Sequence, residues 1–334
     1  MCYISPIMRF MTNNTPTYSI IFPVHNEKAV LAEILQRTIS VLEGLRASYE
    51  IICVDDYSTD GSWEIIEELH HKNSHIKGIK FSRNFGHQSA IYAGIKHCTG
   101  DYIAVLDADG QDPPELLPEF FAKCREGYDV VYAIRKKRKE NILKKMAYKM
   151  FYIFYRAIVP FNAPLDSGDF SVFTKKVAVF IQSLNERNPF IRGLRSWHGG
   201  KQCGIEYERQ SRLAGKTKYS FYKLLHLALN ASITFSKVPL RFISLSGIVI
   251  SLISFLFGGK LIVQKMIGGI NLPGWTSIAT LIIFFGGINL FVLGIIGEYI
   301  GHIFDEVKGR PSFLVDETIG FSQLAWDTQK ITSK

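Results

Sequence analysis

The chain has 334 residues, 39 basic and 30 acidic, a formal net charge of +9, and 47% of its residues are hydrophobic. At ~150 residues per domain this length allows two domains or one with appendages, and the apolar content excludes a disordered or low-complexity chain. Of the 69 charges only Lys260, Lys265 and Glu298 fall in residues 242–300, so a basic soluble domain is expected to join a membrane domain. Five scattered cysteines, Cys2, Cys53, Cys98, Cys124 and Cys203, form no CxxC pair, so neither a cysteine zinc site nor a disulfide framework is indicated, which suits a reducing cytosol. Residues 1–17 lack an apolar h-region with a cleavage site; they are expected to be a loose leader, with Met8 and Met11 as alternative starts.

In chain order, Tyr18–Phe22, Tyr49–Asp55, Ile76–Ser82, Tyr102–Asp107 and Val130–Ala133 are short apolar runs that predict strands. Between them Glu27–Leu45, Gly61–His71 and Gln88–His97 have helical spacing. This alternation predicts an α/β fold with a mainly parallel, buried sheet, whose ligands sit beyond the carboxyl ends of the strands. Further on, Ile142–Phe161 and Tyr222–Lys237 mix basic and aromatic residues at helical spacing, which suits an anionic bilayer surface; no nucleic-acid partner is expected. Phe242–Val263 and Ile278–Ile300 have at least 22 residues each, ~33 Å as helix and enough for a ~30 Å hydrocarbon core. Arg135–Lys139, Lys144–Lys145 and Lys308–Arg310 lie outside this hairpin, so the positive-inside rule places both termini and the large domain in the cytoplasm. Gly294, Gly297 and Gly301 permit close helix packing, within the hairpin or between subunits of a homo-oligomer.

The polar motifs fall at the ends of the strands. After the first comes Pro23-Val24-His25-Asn26-Glu27, where a dinucleotide enzyme would carry GxGxxG; its absence argues against NAD or FAD. After the second comes Asp55-Asp56-Tyr57-Ser58-Thr59-Asp60-Gly61, which reads both as a helix cap and as a carboxylate site for a base or ribose. The fourth ends in Asp107-Ala108-Asp109-Gly110-Gln111-Asp112-Pro113-Pro114. With i and i+2 of a strand on one face, Asp107 and Asp109 are expected to converge, and paired carboxylates repel unless a cation sits between them. Oxygen ligands favour Mg²⁺ or Mn²⁺, with Gln111 as a further donor. His71 and His75, four residues apart in a polar run, read as a solvated helix end.

Residues 18–240 resemble the inverting nucleotide-sugar glycosyltransferases of the GT-A fold. The likeness is to the polyprenyl-phosphate branch, which includes dolichyl-phosphate mannose synthases and bacterial bactoprenol glucosyltransferases. It is carried by PVHNE, DDYSTDG, Arg83-Asn84-Phe85-Gly86-His87-Gln88, DADGQDPPE, Asp166-Ser167-Gly168-Asp169-Phe170, and Arg212 with Gly215 and Lys218-Tyr219. The resemblance implies that Pro23, His25 and Glu27 line the nucleotide pocket, with Val54 and Asp56 near the base. It places Asp107 and Ala108 along the ribose and diphosphate, and gives the metal, Mg²⁺ or Mn²⁺, to Asp109 and Gln111. Arg135, Arg212 and Lys218 would face donor phosphate. Arg209, Arg212 and Lys218 would gather the acceptor phosphate, and Asp169, with Asp166, would orient the acceptor.

The implied reaction moves a sugar, glucose from UDP-glucose in the first instance, onto a polyprenyl phosphate (undecaprenyl or dolichyl). GDP-mannose and UDP-N-acetylglucosamine remain open as donors. The expected arrangement is a leader at 1–17, a GT-A domain at 18–221, an interfacial helix at 222–240, two membrane helices at 241–304 and a cytoplasmic tail at 305–334. A processive polysaccharide synthase would carry QxxRW and more spans, whereas here Trp197 precedes His198-Gly199 and Gln210-Ser211-Arg212-Leu213 lacks the tryptophan. A non-catalytic scaffold has no need of Asp107, Asp109, Gln111 and Arg135, and a two-span channel leaves the α/β domain unexplained.

Overall fold

The computed structural model describes residues 16–135, 167–208 except 185 and 188, scattered positions between 240 and 267, and 274–321. The chain divides into two compact units, one of Met1–Lys139, Ala163–Lys216 and Pro311–Lys334, the other of Glu140–Asn162 and Thr217–Arg310.

The first unit is built on an eight-stranded sheet of order β7-β5-β6-β4-β1-β2-β3-β8. Its strands are β1 (Tyr18–Val24), β2 (Tyr49–Asp55), β3 (Ile76–Phe81), β4 (Tyr102–Val105), β5 (Val130–Arg135), β6 (Ser167–Thr174), β7 (Gln202–Tyr207) and β8 (Val315–Ile319). Its helices are α1 (Lys28–Gly44), α2 (Ser62–Lys72), α3 (His87–His97), α4 (Leu117–Arg125), α5 (Lys175–Ser183) and α6 (Ile191–Trp197). β1 pairs in parallel with β2 and β4, β2 with β3, and β5 with β7. β6 runs antiparallel to β4 and β5, and β8 antiparallel to β3, so the sheet is mixed.

Burial explains why these runs become strands. Every residue of β1 and β2 is buried, as expected where helices cover both faces of a parallel sheet. α1 buries Val30, Leu31, Ile34, Leu35, Thr38 and Leu42, the i, i+3, i+4 stripe of an amphipathic helix. α3 lies so close to β1 that a Cβ on Gly94 would meet Ile21 Cγ2 at 2.3 Å. Phe120 of α4 stacks on Phe170 of β6 at 4.9 Å between ring centroids, tying the antiparallel strand into the core.

The five strands and three helices expected from the sequence are present, with ends moved by one or two residues in most cases. The exception with consequence is β4, which ends at Val105, so Asp107 and Asp109 lie in the following turn rather than on one strand face. Three strands were not anticipated. β6 and β7 flank β5, and β8 arises in the segment expected to be a tail. There Phe313 stacks on Phe81 at 5.3 Å, and the Ser82 N–H donates to the Leu314 carbonyl at 3.0 Å.

In the second unit, α7 runs over Trp275–Val307, 33 residues. Its segment Phe284–Val307 is long and apolar enough to cross a membrane, and none of its described side chains is buried. Leu290, Leu293, Ile300, Ile303 and Val307 are exposed along it; in water such a surface is unfavourable. In the other expected span, Phe242–Val263, the described residues are helical and the rest lie outside the described set. Ile142–Phe161, Tyr222–Lys237, Asp166, Arg209, Arg212 and Lys218 also lie outside it.

Candidate active site

The site gathers at the carboxyl ends of β1, β2 and β4, where the chain leaves the sheet in polar turns. The turn after β1 is stitched to the turn after β2. The Asn26 N–H donates to Ser58 Oγ at 2.9 Å, and the Thr59 N–H donates to Asn26 Oδ1 at 2.8 Å. The Glu27 N–H donates to Ser62 Oγ at 3.1 Å and the Lys28 N–H to Asp60 Oδ2 at 2.9 Å. His25 is fixed by a 2.9 Å bond between Nδ1 and the Asp56 carbonyl. Pro23 belongs to β1 and is buried, with His25 exposed and Glu27 half-buried just beyond. Val54 is fully buried within β2.

The two neighbouring aspartates at the end of β2 have different surroundings. Asp56 accepts the Phe85 N–H through Oδ1 at 2.7 Å and the Gly86 N–H through Oδ2 at 3.0 Å. It thereby secures the turn before α3, in which Gly86 has φ +94°, a conformation that favours glycine. Asp55 accepts the Ser58 N–H at 3.1 Å through Oδ2, while its buried Oδ1 has no hydrogen-bond partner among the described residues. Burial pushes both carboxyls above the usual range.

Beyond β4, Gly110 with φ +73° turns the chain and the Gln111 N–H donates to Asp109 Oδ1 at 3.0 Å. Ala108 is buried, as is Gln111, whose Oε1 finds no partner among the described residues. Asp112, buried below, accepts the Tyr207 hydroxyl at 2.7 Å. Asp107 is pushed up to about 7, first by burial and then by Asp112, with Asp169 and Asp109 adding to the shift and His87 opposing it. An acidic turn with an orphaned amide oxygen fits a hard divalent cation, since these are oxygen donors and their mutual repulsion is what a cation relieves.

Asp169 enters this cluster from β6. Arg192 forks onto it, Nε to Oδ1 at 2.8 Å and Nη2 to Oδ2 at 2.7 Å. Gln88 Nε2 donates to Oδ1 at 3.2 Å, and His87 Nε2 lies 3.3 Å from Oδ2 and 3.4 Å from Asp107 Oδ1. Buried Arg195 holds the backbone behind it, donating to the carbonyls of Gly168 and Asp169, each at 3.3 Å, and to Ser171 Oγ. Burial pulls Arg195 down to about 10. Burial also pushes Asp169 up, but Arg192 and His87 outweigh it and hold the carboxyl well below its ordinary range. For His87, burial favours the neutral ring, and Asp169 with Asp107 outweighs it, so its pKa is raised. His87, Asp107 and Asp169 each offer a potential ligand atom within 4.8 Å of the others.

The structure thus brings Asp107 and Asp169 together and places the Asp109–Gln111 turn beside them. The backbone of Arg135 ends β5. Arg192, Gln88 and Arg195 were not recognised from sequence as site residues. Arg192 lies 23 residues from Asp169 and Gln88 lies 81 away, and no local spacing encodes such contacts. The FGHQ run that opens α3 was the available signal for His87 and Gln88.

Residues 19–180 match the model of the family described as Glycosyl transferase family 2. An uncharacterised glycosyltransferase of Bacillus subtilis, YkcC, is 44% identical over 304 residues, covering 91% of this chain and 94% of that one. The chain is a family 2 glycosyltransferase. Its α/β sheet has the GT-A fold. An Escherichia coli protein named prophage bactoprenol glucosyl transferase homolog is 36% identical over 299 residues, 89% of this chain and 97% of that one. The bactoprenol glucosyl transferase of Shigella phage SfX is also 36% identical, covering 89% and 98%. Among solved structures, glucosyl-3-phosphoglycerate synthase from Mycobacterium tuberculosis with Mn²⁺, UDP-glucose and phosphoglyceric acid superposes with a TM-score of 0.43 at 14% identity, covering 66% of this chain and 78% of that one.

Proposed function

We propose that this glycosyltransferase transfers glucose from UDP-glucose to the phosphate of a membrane polyprenyl phosphate, with inversion at the anomeric carbon. The relatives named bactoprenol glucosyl transferase support the sugar and the lipid, because the likeness spans about nine-tenths of each chain. The observation that carries the reading is the acidic turn Asp107–Asp112 at the strand ends, with the orphaned Gln111 Oε1 beside Asp109. Asp109 and Gln111 would hold Mg²⁺ or Mn²⁺, which when bound neutralises charge on the departing nucleoside diphosphate. Pro23, His25, Glu27, Val54 and Asp56 would form the nucleotide side, with Asp107 and Ala108 along the ribose and diphosphate. Arg135, Arg209, Arg212 and Lys218 would supply cations for the donor and acceptor phosphates.

A phosphate monoester with a second pKa of ~6 is already an anion at neutral pH, so its oxygen can attack without a general base. Asp169 suits that chemistry: its two oxygens are taken up by Arg192, Gln88 and His87, and it is poorly placed to accept a proton. The work left to the protein is positioning and electrostatics. The apolar helix α7, paired with Phe242–Val263, would hold the pocket at the bilayer surface with both termini in the cytoplasm.

Purified protein in detergent, incubated with undecaprenyl phosphate and labelled UDP-glucose, GDP-mannose or UDP-N-acetylglucosamine, tests this. One glucose should move to the lipid phosphate, and EDTA should stop the transfer. A growing polymer, or no transfer from any donor, would refute the reading.

A further inference from the structure

His87 is held in an unusual way. Its Nε2 lies between two carboxylates, Asp107 Oδ1 at 3.4 Å and Asp169 Oδ2 at 3.3 Å, while 45% of the side chain stays exposed. Nδ1 enters no hydrogen bond with a described residue, and on a half-exposed side chain it is open to a ligand. The bracing continues outward. Arg192 fixes Asp169 by its two-point fork, and Gln88 joins Asp169 Oδ1 to α6 by accepting the Ile191 N–H through Oε1 at 3.0 Å. So much structure behind one half-exposed imidazole is not needed for folding alone, because an exposed histidine at the start of a helix requires no such support. Two carboxylates around Nε2 favour the imidazolium, in which both nitrogens carry a proton, and an Nδ1–H donor fixed in this way beside the acidic turn suits an anionic oxygen.

We propose that His87 contacts a phosphate oxygen in the reacting pocket through Nδ1–H, and that Arg192 and Gln88 are positioning residues that hold Asp169, and through it His87, in place. This rests on the reading of the chain as a polyprenyl-phosphate glycosyltransferase. Two phosphates meet in such a pocket, the diphosphate of the donor and the monoester of the acceptor, and both present the same chemistry to the ring.

The test uses direct binding to the full chain, with UDP and Mg²⁺ in one titration and undecaprenyl phosphate in detergent in the other. His87→Gln keeps an amide donor near Nε2 and so keeps the brace, but has nothing in place of Nδ1. Both His87→Gln and His87→Ala should weaken one of the two titrations by about 10- to 100-fold; UDP identifies the donor phosphate and the lipid the acceptor. A histidine that merely braces the carboxylates predicts instead that Gln restores binding and Ala does not. Binding of both ligands by His87→Gln at the unmodified affinity overturns the proposal. Arg192→Gln should weaken the same titration, and the double variant should be no weaker than His87→Gln alone; additive losses would remove Arg192 from the positioning role. If Arg192→Gln does not fold, Gln88→Met carries the same comparison. The titrations need no turnover, so absence of sugar transfer by the unmodified chain would refute the proposed function while they still decide the role of His87.

Discussion

Arg192 grips Asp169 with two parallel hydrogen bonds, Nε to Oδ1 at 2.8 Å and Nη2 to Oδ2 at 2.7 Å. The fork joins α6 to β6 and makes Asp169 a fixed anion, since a carboxylate with that many donors gives up its charge only at low pH. It also separates the two acidic groups chemically: Asp107 is pushed up to about 7 by burial and its acidic neighbours, while Asp169 is held well below its ordinary range. Neighbouring carboxyls with opposite shifts are a mark of a working site.

Removal of that fork should expose what it holds. Arg192→Ala leaves a nearly buried carboxylate without its main cation, and should lower unfolding free energy by about 2–3 kcal/mol. The sign with pH follows from the depressed value of Asp169. Its contribution is present above the unfolded carboxyl pKa of ~3.9 and is lost as pH falls through the folded value. Arg192→Ala should therefore unfold at a higher pH on acidification, as followed by circular dichroism. An unchanged acid midpoint would show that the fork contributes nothing to stability.

Gln111 offers a cleaner separation of function from stability. Its Oε1 is buried without a described partner, a cost of about 1–3 kcal/mol when nothing satisfies the group. Gln111→Met keeps the length and removes the amide. It should leave the melting temperature of the metal-free protein unchanged or raised, while transfer at ordinary Mg²⁺ concentrations falls by about 10-fold or more. Asp109→Ala should lose about 10²–10³-fold. Full transfer by either variant would remove that residue from the metal site.

The legible parts of the fold are those whose physics is local. β1 and β2 read as apolar runs because both faces are buried, and α1 announces itself by its spaced Val30, Leu31, Ile34 and Leu35. β7 is half-exposed over Gln202–Glu206, and β8, Val-Asp-Glu-Thr-Ile, is short and acidic, so neither carries a core signal. Their pairing is dictated by β5 and β3, elements distant in sequence. The same division holds in the site. Asp107, Asp109 and Gln111 stand out as candidates because they lie close together in the sequence, although the strand face expected to align the two carboxylates is a turn. The bracing of Asp169 by Gln88 and Arg192 exists only once β6, α3 and α6 are packed together.

Glu50 anchors the sheet at the end of β2 remote from Asp55. It is 2% exposed and accepts Ser19 Oγ at 2.6 Å, the Thr99 N–H at 2.7 Å and Lys77 Nζ at 2.7 Å. Burial pushes its carboxyl up, and Lys77, Ser19 and Thr99 outweigh it, so the net shift is downward. Glu50→Ala should cost about 3 kcal/mol, read by chemical denaturation, with kcat per folded molecule unchanged. The stability Glu50 supplies is present at neutral pH and is lost as pH falls through its folded value. A variant as stable as the unmodified chain would show that this buried network is dispensable.

The last described strand is the most exposed to challenge. β8 covers the edge of β3, and Phe313 just before it stacks on buried Phe81 at 5.3 Å and lies edge-on to Tyr92 at 6.4 Å. An uncovered edge presents unpaired backbone N–H and C=O groups to other chains, and on β3 the buried Ile76, Ile79 and Phe81 alternate with only two lysines, Lys77 and Lys80, to oppose such pairing. Phe313→Ala should lower stability by about 1–3 kcal/mol. A chain ending at Arg310 should go further, losing the strand itself and forming soluble aggregates in detergent, as seen by light scattering after size exclusion. If the shortened chain stays monodisperse with an unchanged melting temperature, β8 is an accessory to the sheet and Phe81 is protected by other means.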